Sequence, residues 1–300
     1  MPANPLVSVV IPTYNEVDAL RLTLPTIFEQ EYDNFEIILV DDGSMDSTVS
    51  CAQEGAAKYD TPFKIISQTN AGAAAARNTG WQQATGDIVA FIDTGCHADK
   101  LWLSELVDSI GSAGGIGGKI LLTNNSNALT RYVIASRQYR HRVIDGRVEY
   151  LITANAAFRR DALESIDGFR AWKGVGGEDV DLCYRMTAAG HELRVTEKAI
   201  VYHHDSATVF SIFARKYFKR GYANYFYSAT WQQLGYKRQP LIELVRRLGA
   251  IALSPYLGFK YASRTRYRDF PAYVAIAVVE HSVFAIGLLS AMMRRDRYHN

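Results

Sequence analysis

The stretch Leu6-Val7-Ser8-Val9-Val10-Ile11-Pro12-Thr13-Tyr14-Asn15-Glu16 begins with a continuous, mostly β-branched apolar run that a proline ends. Such a run is typical of a strand buried on both faces of a sheet. Three later runs have the same character, at Phe35–Val40, Phe63–Ser67 and Asp87–Ile92, and segments with helical spacing separate them. This alternation predicts an α/β fold, a Rossmann-like, mostly parallel sheet with helices on both faces.

Acidic residues stand at the carboxyl ends of two predicted strands. Asp41 and Asp42 end the second strand, and Asp93 ends the fourth. Ligands of parallel α/β sheets bind beyond these ends, where carboxylates attract a divalent metal or accept hydrogen bonds from a base or a ribose. The segment Asp41-Asp42-Gly43-Ser44 alone also fits an ordinary turn, but two acidic strand ends favour a binding site.

A second acidic element is Gly174-Val-Gly-Gly-Glu-Asp-Val-Asp181, followed by an amphipathic run that ends at Gly190. The pattern predicts a mobile glycine loop that carries Glu178, Asp179 and Asp181 into the first turn of a helix. Simple capping of that helix by acids is the alternative, because free N–H groups and the helix dipole favour negative charge there.

Several short motifs occur in a fixed order along the first two thirds of the chain. They are Val9–Glu16, Asp41–Ser44, Asn70–Gly72 with Ala76–Gly80, Gly86–Asp93, Ala154–Arg160, Gly168-Phe169, Gly177–Leu182 and Val201–His204. Together they resemble the family-2 glycosyltransferases, which have a glycosyltransferase A-type fold and use nucleotide-sugar donors. The resemblance covers Leu6 to about His204.

The resemblance implies a donor site for a nucleotide-diphosphate sugar. Tyr14 is expected to pack on the base, Asp42 to accept its imino hydrogen, and Arg77 either to meet the phosphates or to lie on a helix surface. The full expected set is Pro12, Thr13, Tyr14, Glu16, Asp42, Arg77, Asp93 and Thr94.

The resemblance also implies catalytic, metal-binding and acceptor residues. Asp179 is expected to be the base of an inverting transfer, with Glu178 beside it and with Trp172 and Gly177 on the acceptor side. Asp93 and His203 would hold Mg²⁺ or Mn²⁺ on the diphosphate, and the sequence does not decide between His203 and the adjacent His204.

This sequence departs from the family pattern at the metal site. The family usually carries a second Asp two residues after the first, whereas here Gly95 follows Asp93-Thr94. Magnesium often keeps several waters, so one carboxylate and an imidazole can suffice, and His97 or Asp99 are possible substitutes. Cys96 is expected to serve packing.

Charge divides the chain into an acidic front and a basic back. Residues 205–300 hold 15 Lys/Arg and 5 Asp/Glu, against 18 and 26 in residues 1–204. We therefore expect a catalytic domain over 1–204 and a basic, apolar helical extension over 205–300. The extension lacks a nucleic-acid-binding motif and favours an anionic membrane surface, with packing on the catalytic domain, a homo-oligomer contact or a true span by Pro271–Met293 as alternatives.

The expected activity is single, non-processive transfer to a glycan or lipid-linked hydroxyl, at the cytoplasmic face of the cell membrane. The Gln-x-x-Arg-Trp string of processive relatives does not occur, and no signal peptide or paired cysteine spacing is evident. The alternatives are a sugar-phosphate nucleotidyltransferase and a non-catalytic nucleotide-sugar-binding protein. The glycine-rich stretch Gly111–Gly118 is expected to be a loop, because it follows a helical pattern and not a strand.

Overall fold

A computed structural model describes residues 4–136, 140–144, 146–170, 176–204, 209–236 and 239–293. These residues form two compact units. The first contains 4–121, 140–144, 146–170 and 178–204, and the second contains 122–136, 176–177, 209–236 and 239–293. Residues 122–136 lie within the predicted catalytic domain but belong to the helical second unit.

One eight-stranded sheet forms the centre of the first unit, in the order β3-β2-β1-β4-β9-β6-β10-β5. Its strands are β1 (Val7–Thr13), β2 (Phe35–Asp41), β3 (Phe63–Ser67), β4 (Ile88–Phe91), β5 (Cys96–Ala98), β6 (Gly115–Leu122), β9 (Ala156–Arg159) and β10 (Leu193–His203), and a separate hairpin joins β7 (Arg142–Ile144) to β8 (Arg147–Tyr150). The first four strands pair in parallel, while β9 is antiparallel to β4 and β6. The predicted fold class is confirmed.

Helices cover both faces of this sheet because its central strands alternate two apolar sets of side chains. Val9 and Ile11 of β1 belong to one buried cluster, and Val10 belongs to the other. The helices of the unit are α1 (Val17–Phe28), α2 (Thr48–Ala56), α3 (Ala73–Gln82), α4 (Trp102–Ile110), α6 (Arg160–Ser165) and α7 (Glu178–Ala188).

The prediction that Gly111–Gly118 is a loop is wrong for its last four residues, which begin β6. A Cβ on Gly117 would lie 2.5 Å from the His141 ring, and one on Gly118 would lie 2.2 Å from the carbonyl oxygen of Ala199. The glycines therefore make room for neighbours inside a strand, which pattern reasoning mistook for loop chemistry.

His141 occupies the space that Gly117 leaves. Its Nε2 donates to the Gly118 carbonyl oxygen, and its Nδ1 accepts from the Ile152 N–H at 3.0 Å. Both ring nitrogens are satisfied only in the neutral form, and burial lowers the pKa of His141 to about 4. The neutral ring thus joins β6 to the segment that follows the β7–β8 hairpin.

The second unit is helical. It contains α5 (Ala128–Ala135), α8 (Phe210–Gln233), α9 (Pro240–Ala252), α10 (Ser254–Ala262) and α11 (Phe270–Met293). Pro255 lies in the first turn of α10, directly after the break that separates it from α9. Arg131 of α5 donates to Asp269 at 2.6 Å, and the Tyr132 hydroxyl donates to Glu280 of α11 at 2.7 Å. These two buried contacts fix α5 among the C-terminal helices.

We expect the advantage of wild-type protein over His141→Gln to shrink as the pH falls from 7 to 5. The folded pKa lies below the unfolded value, so the stability contributed by the neutral ring is present above pH 6.5 and is lost on acidification. The loss should reach about 2 kcal/mol by pH 5. Urea unfolding of both proteins at the two pH values measures it, and an unchanged difference would contradict this role of His141.

Candidate active site

The carboxyl ends of three adjacent parallel strands meet at one edge of the sheet. β1 ends at Thr13, β2 ends at Asp41, and Asp93 lies two residues beyond the end of β4. The Asp42 N–H donates to the Thr13 carbonyl oxygen at 2.9 Å, so the ladder continues one step beyond β2. The acids predicted at strand ends are therefore at this edge.

Asp42 is buried and firmly held. Its Oδ1 accepts from the Gln68 side chain at 2.7 Å and from the Ala71 N–H at 2.8 Å, while Oδ2 accepts from the Gly72 N–H at 2.8 Å. A carboxylate has about four acceptor positions, so one remains for a further donor. Sequence reasoning missed Gln68, although its place directly after β3 is the same strand-end signal that pointed to the acids.

The two loops that follow β1 and β2 brace each other. The Asn15 N–H donates to the Ser44 hydroxyl at 2.9 Å, and the Asn15 side chain accepts from the Met45 N–H at 2.7 Å. Tyr14 lies in the first of these loops and is 43% exposed, while Pro12 and Thr13 are buried in β1. The edge thus presents one accessible aromatic ring above a fixed backbone.

Arg77 of α3 joins two acids that are far apart in the sequence. Its guanidinium donates to Asp93 and to Glu178, both at 2.8 Å, and its side chain is only 5% exposed. Burial acts to lower the pKa of Arg77, but Asp93 and Glu178, with a smaller effect from Asp179, raise it above its ordinary value. Arg77 is therefore buried and does not lie on the surface of its helix.

Asn78, the next residue, fixes the segment beneath this bridge. Its side chain donates to the Phe169 carbonyl oxygen at 2.7 Å and accepts from the Phe169 N–H at 2.9 Å. The Phe169 ring centroid lies 5.9 Å from the guanidinium carbon of Arg77. Two motifs of the sequence, Arg77-Asn78 and Gly168-Phe169, therefore form one packing unit.

The predicted acidic helix start is present, and its three acids differ in role. Glu178, Asp179 and Asp181 lie in the first turn of α7. Asp181 is fully buried and pairs with Arg185 at 2.8 Å, and Arg185 also donates to the carbonyl oxygens of Ile166 and Gly168. Asp181 therefore serves structure, while Glu178 and the half-buried Asp179 lie near Arg77.

A second acidic group surrounds Asp93. Partial removal from water, followed by the charges of Asp93 and Asp46, raises the pKa of Glu16 to about 7. Cys96 is fully buried, and burial followed by Asp93 raises the pKa of its thiol. His203 pairs with Cys96 across the β5–β10 ladder, so both side chains lie on the same face of the sheet. Cys96 belongs to the core, as expected.

These residues fit a hard divalent cation only in part. Glu16 and Asp93 offer carboxylate oxygens near each other, and His203 is on the ladder beside them. Among the described residues, however, no three His, Cys, Asp or Glu side chains form a preassembled metal site. His97 lies on the ladder face opposite to His203, and the Asp99 side chain accepts from the Leu101 N–H at 3.1 Å.

Gly95 explains why the second acid is absent. It lies in the turn after Asp93-Thr94 with φ of 83°, its N–H donates to the Thr23 hydroxyl at 2.9 Å, and its carbonyl oxygen accepts from the His204 N–H at 3.1 Å. A residue with a side chain rarely adopts this left-handed conformation. An Asp at position 95 would therefore strain the backbone of this turn.

Only one of the two expected acceptor-side residues lies within the described part of the chain. Trp172 lies outside the described residues. Gly177 belongs to the second unit and has φ of 93°, and a Cβ there would lie 3.8 Å from the Tyr227 ring. A glycine with this conformation directly before α7 agrees with the predicted sharp change of chain direction.

Comparison with known families gives matches over most of the chain. The Glycosyl transferase family 2 model matches residues 8–167, and the Glycosyl transferase family group 2 model matches residues 88–289. Glycosyltransferase AglE of Haloferax volcanii is 32% identical over 223 residues, which cover 72% of each protein. The pre-mycofactocin glycosyltransferase of Mycobacterium tuberculosis is 30% identical over 237 residues, 74% of this chain and 47% of that protein.

Solved structures share the fold at lower sequence identity. Mannosyltransferase PcManGT from Pyrobaculum calidifontis, in complex with GDP-Man and Mn²⁺, superposes with a TM-score of 0.66 at 20% identity, over 96% of this chain and 88% of that one. Residues 1–349 of S. aureus TarS, in complex with UDP-GlcNAc, give a TM-score of 0.55 at 16% identity, over 98% and 93%. At these identities the likeness concerns the fold.

We expect Asp181→Asn to lower the free energy of unfolding by about 3 kcal/mol or more, because it leaves Arg185 buried without its anionic partner. The exposed Asp18 forms a comparable intrahelical pair with Arg21 at 3.6 Å. Asp18→Asn should change stability by less than about 0.5 kcal/mol. Urea unfolding of both variants measures the contrast, and similar losses would show that Asp181 is not the structural acid of α7.

Proposed function

This chain belongs to glycosyltransferase family 2, and we propose that it transfers one sugar from a nucleotide-diphosphate donor to an acceptor hydroxyl with inversion. The carrying observation is the buried bridge from Arg77 to Asp93 and Glu178. It gathers acids from a strand end and from the start of α7 at one place, beside Asp179. A single group of acids near a donor site is what a one-step displacement needs.

The donor base would bind between Tyr14 and Asp42. The exposed ring of Tyr14 offers a stacking surface, and the Asp42 carboxylate, preoriented by Gln68 and two backbone N–H groups, retains an acceptor position for an imino hydrogen. Pro12 and Thr13 would form the floor of this part of the site. The ribose and diphosphate would lie further along the edge, near Thr94 and Asp93.

Asp179 would take the proton from the acceptor hydroxyl as its oxygen attacks the anomeric carbon. Glu178 is tied to Arg77 by an ion pair, and Asp179 is the next residue in the same turn of α7. We propose Asp179 as the base, as the resemblance to the family implies, and Glu178 as the residue that fixes the start of α7. One base and one direct displacement imply inversion, and no covalent intermediate is required.

The leaving diphosphate requires positive charge. Asp93 and His203, with Glu16 nearby, would hold a magnesium or manganese ion, which when bound neutralises negative charge that develops on the leaving group. The fold neighbour PcManGT was solved with GDP-Man and Mn²⁺, which supports this reading. Arg77 would contribute through Asp93, because its guanidinium already holds that carboxylate in place.

The acceptor would be a glycan or a lipid-linked hydroxyl, on the side of Trp172 and Gly177, at the cytoplasmic face of the cell membrane. The basic composition of residues 205–300 supports an anionic membrane surface as partner. In the described residues, Tyr267–Met293 is long and apolar enough to cross a membrane, but half of its most apolar window is buried, so we favour peripheral association. Transfer would be non-processive.

We expect Asp179→Asn to lower kcat by about 10²- to 10⁴-fold while donor binding changes little, because the amide cannot accept the proton. Initial rates of transfer and donor affinity by calorimetry separate the two effects. Asp60→Asn, at an exposed site in the same unit, is the matched control. Full activity of Asp179→Asn would refute the base assignment, and a wild-type protein that binds the donor but transfers no sugar would favour a nucleotide-sugar-binding protein without turnover.

A chelator should abolish sugar transfer, and added Mn²⁺ or Mg²⁺ should restore it. The physical reason is the need for positive charge on the departing diphosphate, because Arg77, which contacts Asp93, is already paired with two carboxylates. Rates before and after EDTA treatment test this. Transfer that proceeds unchanged in EDTA would remove the metal from the proposal.

A further inference from the structure

Helix α9 exposes apolar side chains and turns charged side chains inward. Leu241, Val245 and Leu248 form an outward stripe and are 62%, 62% and 54% exposed. The inward face instead carries Glu243 and Arg247, which pair with each other at 2.9 Å. A helix on a water-facing surface has the opposite arrangement, with apolar residues inside and charges outside.

The inward charges of α9 are satisfied within the unit. Arg247 also contacts the His281 ring nitrogen at 3.1 Å, lies 3.9 Å from Glu280, and stacks over the Phe284 ring at 3.8 Å. Glu280 accepts from the Tyr132 hydroxyl at 2.7 Å. This polar network fixes the orientation of α9. Its apolar stripe therefore faces away from the unit.

The apolar surface continues beyond α9. Leu253, Tyr256 and Phe259 are also exposed, in α10 and directly before it. Large exposed apolar patches on a folded unit are typical of binding surfaces.

Exposed positive charge accompanies this surface. Residues 240–270 contain six Lys/Arg and two Asp/Glu, and both acids pair with arginines. Arg246, Lys260, Arg264, Arg266 and Arg268 are exposed. An apolar stripe with basic flanks and no exposed acid complements the interface of a bilayer that contains anionic lipid.

The centre of the helical unit is a close crossing of two long helices. α8 and α11 cross with their backbones in close approach, since a Cβ on Gly221 would lie 2.0 Å from the Phe284 carbonyl oxygen and one on Gly287 would lie 2.1 Å from that of Phe218. Glycine at both contact points lets the two helix backbones approach this closely.

We propose that the outer face of α9 and α10, from Leu241 to Phe259, lies in the headgroup–acyl boundary of an anionic phospholipid bilayer, with the flanking basic residues on the lipid phosphates. The proposal deepens the membrane partner proposed above. It does not depend on the chemistry at Asp179, and its test uses no turnover.

The test is sedimentation of the full chain with phosphatidylcholine vesicles that contain or lack phosphatidylglycerol. Wild-type protein should bind the anionic vesicles more strongly than the neutral ones. Val245→Asp with Leu248→Asp should weaken binding to anionic vesicles by at least about tenfold, because charges replace two lipid-facing side chains. Leu22→Asp, at a residue of α1 that is 55% exposed, is the matched control and should bind as wild type.

A second variant tests the charges separately. Replacement of Lys260, Arg266 and Arg268 by Gln should weaken binding to anionic vesicles by at least about tenfold and leave weak binding to neutral vesicles unchanged. Circular dichroism reports whether each variant is folded, and light scattering reports whether its oligomeric state differs from that of wild type.

Four results would overturn the proposal. The first is equal vesicle binding by wild type and the Val245/Leu248 double variant, and the second is an equal loss in Leu22→Asp. The third is a wild-type dimer that ignores vesicles and dissociates on the double substitution, which would assign the face to a second copy. The fourth is retention of the chain in native membranes after carbonate extraction, which would assign α11 to a span.

Discussion

A buried guanidinium is the constraint on which the catalytic end of this structure depends. Arg77 is withdrawn from water, and an unpaired buried charge costs several kcal/mol, so the fold must bring anions to it. The anions come from two places, Asp93 beyond β4 and Glu178 at the start of α7. Because neither segment is near the other in sequence, this pairing couples the geometry of the acidic helix to the edge of the sheet.

That coupling also explains the local motifs. Asn78 fixes Phe169 below the guanidinium, and Arg185 binds the carbonyl oxygens on either side of Asp167 while pairing with Asp181. Each of these polar side chains thus fixes a backbone segment, and that segment in turn positions a further side chain of the site. An acid held in place before ligand arrives needs little reorganisation during reaction, which is the condition under which electrostatic stabilisation is most effective.

The sequence was sufficient for the parallel strands and their acidic ends, since buried runs and strand-end carboxylates are local signals. It was insufficient wherever the reason for a residue lies in a distant partner. Gly117 is a glycine because of His141, and Gly95 because of its positive φ. Asp181 has the same sequence context as Asp179, yet Arg185 and burial make it structural. Arg77 is similar: a lone arginine on an alanine-rich helix gives no sign that two carboxylates enclose it.

The helical unit shows why hydropathy alone misjudges such segments. Glu280 and His281 interrupt the apolar run of α11, and in a lipid-surrounded span such groups are expensive. Here they face inward, where Tyr132 and Arg247 bind them, so the unit itself satisfies these polar groups. The same inward network leaves α9 with only apolar side chains and Arg246 to present outward. Buried polarity on one helix and exposed apolarity on its neighbour are therefore two consequences of a single packing arrangement, and they must be interpreted together.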